Sequence, residues 1–140
     1  MNTITMDQSG TTNVLVVDDN EAFRLSLAEF VDHQEGFHVI GKAKDGTEAI
    51  LMTQSIQPDL ILMDISMPRI SGLAAALYMK QRSPNTKVVF ITIHEDKTYQ
   101  ELAELVHVDG YVCKSALKEQ LPPMLEKMRG TGVEKIEVIH

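Results

Sequence analysis

Four side chains in this sequence are of the types, and at the places, to do chemistry together: Asp18, Asp19, Asp64 and Lys114. Each stands where an apolar run ends. Asp18 and Asp19 follow Val14-Leu15-Val16-Val17, Asp64 follows Leu60-Ile61-Leu62-Met63, and Lys114 follows Tyr111-Val112-Cys113. Continuous apolar runs of this length read as strands buried on both faces. In an open parallel sheet the carboxyl ends of the strands line the ligand crevice, so the acids converge there with an ammonium beside them. Clustered carboxylates repel one another unless a cation sits among them. An all-oxygen donor set suits a hard divalent ion, Mg²⁺ before others. The chemistry this constellation predicts is phosphoryl transfer onto Asp64.

The elements that must position these groups alternate in type. Residues 13–17 read as a first strand. A helical period follows from Asn20, its N-cap, with Phe23, Leu27, Phe30 and Val31 on one face. Gly36 closes that helix, and 37–40 is a short second strand. A second helix over 45–56 turns Ala49, Ile50 and Met52 or Thr53 inward and is ended by Pro58. The third strand is 59–64. A helix over 73–82, a Pro84-Asn85 turn and a fourth strand over 87–92 come next. A helix from Glu95 to about His107 places Leu102, Leu105 and Val106 inward. After an Asp109-Gly110 turn, 111–114 is the fifth strand, and 116–128 is the last helix. Pro122-Pro123 in that helix is tolerable where regular helix begins at the pair. Strict β–α alternation predicts an α/β, doubly wound five-stranded parallel sheet flanked by helices, with right-handed crossovers.

The chain divides into a mobile polar tail over 1–12, a single domain over 13–129, and a segment over 130–140. VEKIEVIH within that last segment is open to two readings. A linker stub is the plainer one, and an extra strand or partner-binding segment is the sharper. At 140 residues, with 44% hydrophobic and 24% charged residues, the composition is that of a soluble globular domain. A net charge of −7 argues against binding nucleic acid through its own surface. One cysteine, Cys113, excludes an internal disulfide and fits a reducing compartment. No apolar run approaches the ~20 residues of a membrane span. The N-terminus also lacks the features of a signal peptide. The expected location is the cytoplasm.

Asp18-Asp19, Asp64-x-x-Met67-Pro68, Gly72, Thr92, Tyr111 and Lys114 together resemble the receiver domain of bacterial two-component response regulators. The resemblance runs from about Asn13 to Arg129 and is specific, because motif order and strand-end placement agree. VIGKAKDGTEAI and GYVCKSAL are most similar to receivers of the subfamily with a C-terminal LuxR-type helix-turn-helix domain. The resemblance implies a flavodoxin-like (β/α)5 fold and a phosphoryl group accepted on Asp64 from a sensor histidine kinase or phosphotransfer protein. The signal then passes to a partner or an attached DNA-binding output domain. It further implies Mg²⁺ held by Asp19 and Asp64, with Asp18 acting through water and the Ser66 carbonyl as a further ligand. Lys114 would pair with Asp64 at rest and with the phosphoryl group afterwards. Thr92 would bind that group, and Tyr111 would turn inward as a switch. A homodimer is compatible with this family, and the domain is no enzyme beyond its own phosphorylation and dephosphorylation. Two positions depart from the pattern: Ser115 stands where many receivers have proline, and Ile93 where a small residue is common.

Plainer roles stand beside these. A lone Asp at a strand end is usually a turn or cap residue, which does not account for three acids and a lysine together. Thr92 is also an ordinary β-former, and Tyr111 is open to plain core packing. Cys113 is expected to be an inert buried thiol. His94 lies at the mouth of the site, either modulating water access or serving as a loop residue. Two other functions compete. A Mg²⁺-dependent phosphohydrolase with an aspartyl nucleophile would need Asp-x-Asp after the first strand, whereas Asp18 and Asp19 are adjacent. A receiver-like binding module that is not phosphorylated would lack an acid or the lysine, and neither is missing.

Overall fold

A computed structural model of the chain describes residues 10–67, 70–93 and 97–129. Five strands, β1 (Thr12–Val17), β2 (Phe37–Ala43), β3 (Leu60–Met63), β4 (Lys87–Thr92) and β5 (Gly110–Cys113), form one parallel sheet in the order β2-β1-β3-β4-β5. Five helices connect them: α1 (Glu21–Asp32), α2 (Gly46–Ile56), α3 (Gly72–Arg82), α4 (Lys97–Leu105) and α5 (Leu117–Met128). This is the expected doubly wound architecture.

The strands are apolar without alternation because both faces of the sheet are covered. Val14, Val16, Leu60, Leu62, Val89, Ile91 and Val112 point toward α1 and α5, where Leu27, Val31, Leu121 and Leu125 meet them. Their neighbours in sequence, Leu15, Val17, Ile61, Met63, Val88 and Phe90, point the other way, against Ala49, Ala75, Met79 and Ala103 of α2, α3 and α4. Chain direction across the sheet reverses between β1 and β3, and a crevice opens there at the carboxyl ends of the strands.

Several expectations are corrected. β2 does not stop at Ile40 but continues to Ala43, through a register shift in which Val14 faces Val39 and Leu15 faces Gly41. Ile40 is the extra residue of that bulge, and Gly41 follows it inside the strand. On α1 the buried residues are Leu27, Ala28 and Val31, while Phe30 is 40% exposed. Around α4 the inward residues are Tyr99, Ala103 and, just past its end and as expected, Val106, at three- and four-residue spacing, while Leu102 and Leu105 lie outside, Leu105 at 72% exposure. Hydrophobicity alone pointed to the leucines, but the period selects the small Ala103.

α5 starts at Leu117, before the proline pair, so Pro122 and Pro123 are inside it. Both are exposed, as are Lys118 and Glu119, whose carbonyls lose their helical donors to the prolines and face water instead. Lys114 opens a 3-10 turn over Lys114–Ala116 instead of ending β5. Pro68 and Arg69, His94 to Asp96 with the expected helix start at Glu95, the tail over 1–9 and the segment over 130–140 with VEKIEVIH lie outside the described residues.

Candidate functional site

Register brings the acids together. Val17 of β1 pairs with Met63 of β3, so the next residues, Asp18 and Asp64, emerge side by side, and the Asp64 N–H donates to the Val17 carbonyl at 3.0 Å. Asp18 is 1% and Asp64 7% exposed, whereas Asp19 points out to solvent. Each of the three offers a carboxylate oxygen within 4.8 Å of the others. On the other side of β3, Met63 pairs with Phe90, and Thr92 of β4 pairs with Cys113, so the chain turns out of the sheet at Lys114 next to Thr92. Thr92 is fully buried.

The polar contacts are specific. Asp18 Oδ1 accepts the Asn20 N–H at 2.9 Å, and its carbonyl accepts from the Arg24 guanidinium at 2.8 Å. Asp64 Oδ1 accepts the Ser66 N–H at 3.0 Å. Lys114 Nζ stands 2.9 Å from Asp18 Oδ2 and 3.5 Å from Asp64 Oδ2. The lysine thus reaches Asp64, as expected, and bridges it to Asp18, to which it sits nearer. Burial pushes the Asp64 carboxyl above its ordinary range. The Ser66 N–H and the Lys114 charge pull it back down, while the Asp18 charge adds to the rise. Three carboxylates against one ammonium leave room for a divalent cation, and hard oxygen donors are the set such an ion takes.

Gly72 keeps this arrangement closed. Its N–H donates to the Ile65 carbonyl at 3.0 Å, and a Cβ there would fall on the Asp64 carbonyl oxygen and 2.7 Å from Ile65 Cα. Only glycine lets the start of α3 pass this close to the strand end. Tyr111 is half-buried, packed on the α2–α4 side of the core. Ile93 is 67% exposed next to Thr92. Cys113 is half-buried rather than buried, with its N–H donating to Gln120 Oε1 at 3.0 Å. Ser115 lies within the 3-10 turn.

Two participants escaped the reading of the sequence. Phe23, assigned there to the core, has its ring centroid 4.1 Å from Lys114 Nζ. Arg24 holds the Asp18 backbone. The available signal was their place in the first turn of the helix that follows the paired acids.

Comparison with known proteins agrees with this geometry. The response regulator receiver domain family matches residues 14–126. The chain is 33% identical over 132 residues to the response regulator protein VraR of Staphylococcus aureus, covering 92% of this chain and 62% of that one. It is 32% identical over 101 residues to the transcriptional regulatory protein DegU of Brevibacillus brevis, covering 72% and 43%. It therefore spans roughly half the length of these curated relatives. Among solved structures, the response regulator domain of Thermotoga maritima CheB superposes with a TM-score of 0.78 at 30% identity, covering 87% of this chain and 96% of that one. A LuxR-family two-component response regulator from Aurantimonas sp. SI85-9A1 shares the fold with a TM-score of 0.82 at 24% identity, covering 86% of each chain. Sheet order, strand-end acids and sequence matches lead to one conclusion: the chain belongs to the response regulator receiver domain family.

Proposed function

We propose that Asp64 accepts the phosphoryl group and that the domain signals by its phosphorylation state. The observation that carries this is the register that sets a buried Asp64 beside Asp18 with Lys114 in reach of both. An Asp64 carboxylate oxygen attacks phosphorus in line as the bond from phosphorus to the donor breaks, leaving an acyl phosphate on Asp64 and the donor's imidazole free. The protein's part is positioning and neutralisation, since charge spreads over the phosphoryl oxygens in the transition state. Asp19, Asp64 and the Ser66 carbonyl are the groups to hold Mg²⁺, with Asp18 behind a water. When bound, the ion neutralises charge on the transferring group. Asp18 suits the indirect role because its Oδ2 is engaged by Lys114. Lys114 follows the charge onto the phosphoryl oxygens, Thr92 donates its hydroxyl to one of them, and Tyr111 responds to the move of Thr92.

The donor is a histidine kinase or phosphotransfer protein of the cytoplasm. Among the described residues no helix is long and apolar enough to cross a membrane. The curated relatives are longer than this chain, and DegU is a transcriptional regulatory protein; an attached output domain acting on transcription is the corresponding reading here. A net charge of −7, and the use of the described helices in core packing, argue against a DNA surface on the receiver itself. A homodimer through the β4–α4–β5 side would couple such an output to phosphorylation. The test is mass spectrometry after incubation with acetyl phosphate and Mg²⁺. The chain should gain one phosphoryl group and Asp64→Asn none; labelling of the variant would sink the assignment.

A further inference from the structure

The lysine of the site is held from three directions. Two are the carboxylates of Asp18 and Asp64, at 2.9 and 3.5 Å from Nζ. The third is the face of the Phe23 ring, whose centroid is 4.1 Å from Nζ. These contacts close on themselves. The other oxygen of Asp18 accepts the Asn20 N–H at 2.9 Å, and the Asn20 side chain accepts the Phe23 N–H at 2.9 Å. The acid that binds the ammonium therefore also fixes the helix start that carries the ring.

Packing alone does not ask for a ring here. Phe23 is half-buried against the α1–α5 side of the core, where a leucine would fill similar space. An ammonium over a ring face is attracted by the negative quadrupole, more strongly where water is excluded. The Lys114 side chain is 17% exposed, so most of its water is gone. The ring also brings no lone pair and no charge. It can hold Nζ in place without competing for its hydrogen bonds, and it leaves the ammonium free to move from one oxygen to another.

We propose that Phe23 is a positioning residue for Lys114, its ring face holding the ammonium between Asp18 and Asp64 so that it meets phosphoryl oxygens arriving at Asp64. This rests on Asp64 as the acceptor. No bond forms or breaks at Phe23 itself.

The experiment compares the full chain with Phe23→Leu, which keeps apolar bulk without a ring, and Phe23→Tyr, which keeps the ring. Phe30→Leu, on the exposed side of the same helix, is the control for helix damage. The first readout is the carbon–proton NMR signal of the Lys114 ε-methylene, assigned by its loss in Lys114→Met and recorded without any phosphodonor. Protons above a ring face are shifted upfield. That shift should be present in the wild type, Phe23→Tyr and Phe30→Leu, and lost in Phe23→Leu. The second readout is the rate of acyl phosphate formation from acetyl phosphate and Mg²⁺. It should fall roughly two- to fivefold in Phe23→Leu and stay near wild type in the other two. An unshifted methylene in the wild type, an unchanged rate in Phe23→Leu, or Phe23→Tyr behaving like Phe23→Leu would each overturn the proposal. Absence of phosphorylation in the wild type would overturn the acceptor assignment itself. The methylene shift separates that failure from a failure of Phe23 to hold the lysine.

Discussion

The surroundings of Asp64 disfavour its ionised form. It is buried beside Asp18, with one ammonium shared between them, and its carboxyl is pushed above the ordinary value of 3.8 mainly by burial. For an acid raised in the folded state, the favourable contribution to stability is present below the unfolded value. It is lost as pH rises through the folded one. At neutral pH and without divalent metal, Asp64→Asn should therefore melt at a higher temperature than the wild type. The difference should shrink as the pH falls toward the unfolded carboxyl value. Thermal scans across that range, in chelator, decide it; a variant that melts lower at pH 7 would contradict the burial argument. Gly72 is constrained for a steric reason. A Cβ there meets backbone atoms of Asp64 and Ile65, which cannot swing aside. Gly72→Ala should cost about 1–3 kcal/mol in urea unfolding. Gly41→Ala, which meets chiefly the end of the Ile56 side chain at 2.9 Å, should cost less.

At the scale of elements, the end of one strand and the start of one helix carry most of the information. Asn20, Asp45 and Ser71 each accept an N–H from the first turn of α1, α2 and α3, and each could be picked out as a cap by residue type. At α2 Glu48 also reaches back past its cap, its Oε1 accepting the Lys44 N–H at 2.9 Å while its own N–H donates to Asp45 Oδ1 at 2.8 Å. α5 breaks the rule that proline stays out of helix interiors, and does so on its wet side. Pro122→Ala restores a donor to the Lys118 carbonyl and should stabilise the domain by about 1 kcal/mol. That is less than the ~3 kcal/mol difference between proline and alanine in a regular helix interior, because proline also restricts the unfolded chain. A urea midpoint below that of the wild type would show that the ring of Pro122 packs usefully.

For the molecule as a whole, the route from Asp64 to a partner should run along β4 and β5. Thr92 and Tyr111 border the side where α4 leaves Leu102 and Leu105 exposed. A shift of one buried hydroxyl can bias a bistable packing arrangement. Phosphorylation should move the backbone amide signals of 95–106 and 111–117 more than those of α1 and α2. A map of chemical-shift changes with the largest remote values on α1 and α2 would place the signalling face elsewhere. The same outward leucines explain why hydrophobicity misjudged α4: large apolar residues also occur singly on the surface of a folded domain, so type alone does not place them inside.

The fold was legible in the sequence because unbroken apolar runs alternating with helical periods admit one economical solution, a parallel sheet covered on both faces. The cluster of Asp18, Asp19, Asp64 and Lys114 was legible for the same reason, since each group sits at a strand end. The gaps are of another kind. The pairing of Lys114 chiefly with Asp18, the ring of Phe23 beneath it, the passage of Gly72 over Asp64 and the continuation of β2 past Gly41 all depend on distances between segments far apart in the chain. Local residue type and spacing say which face a side chain takes. Which of two neighbouring oxygens an ammonium reaches, and how near one backbone passes another, are set when register and helix packing fix the segments in space.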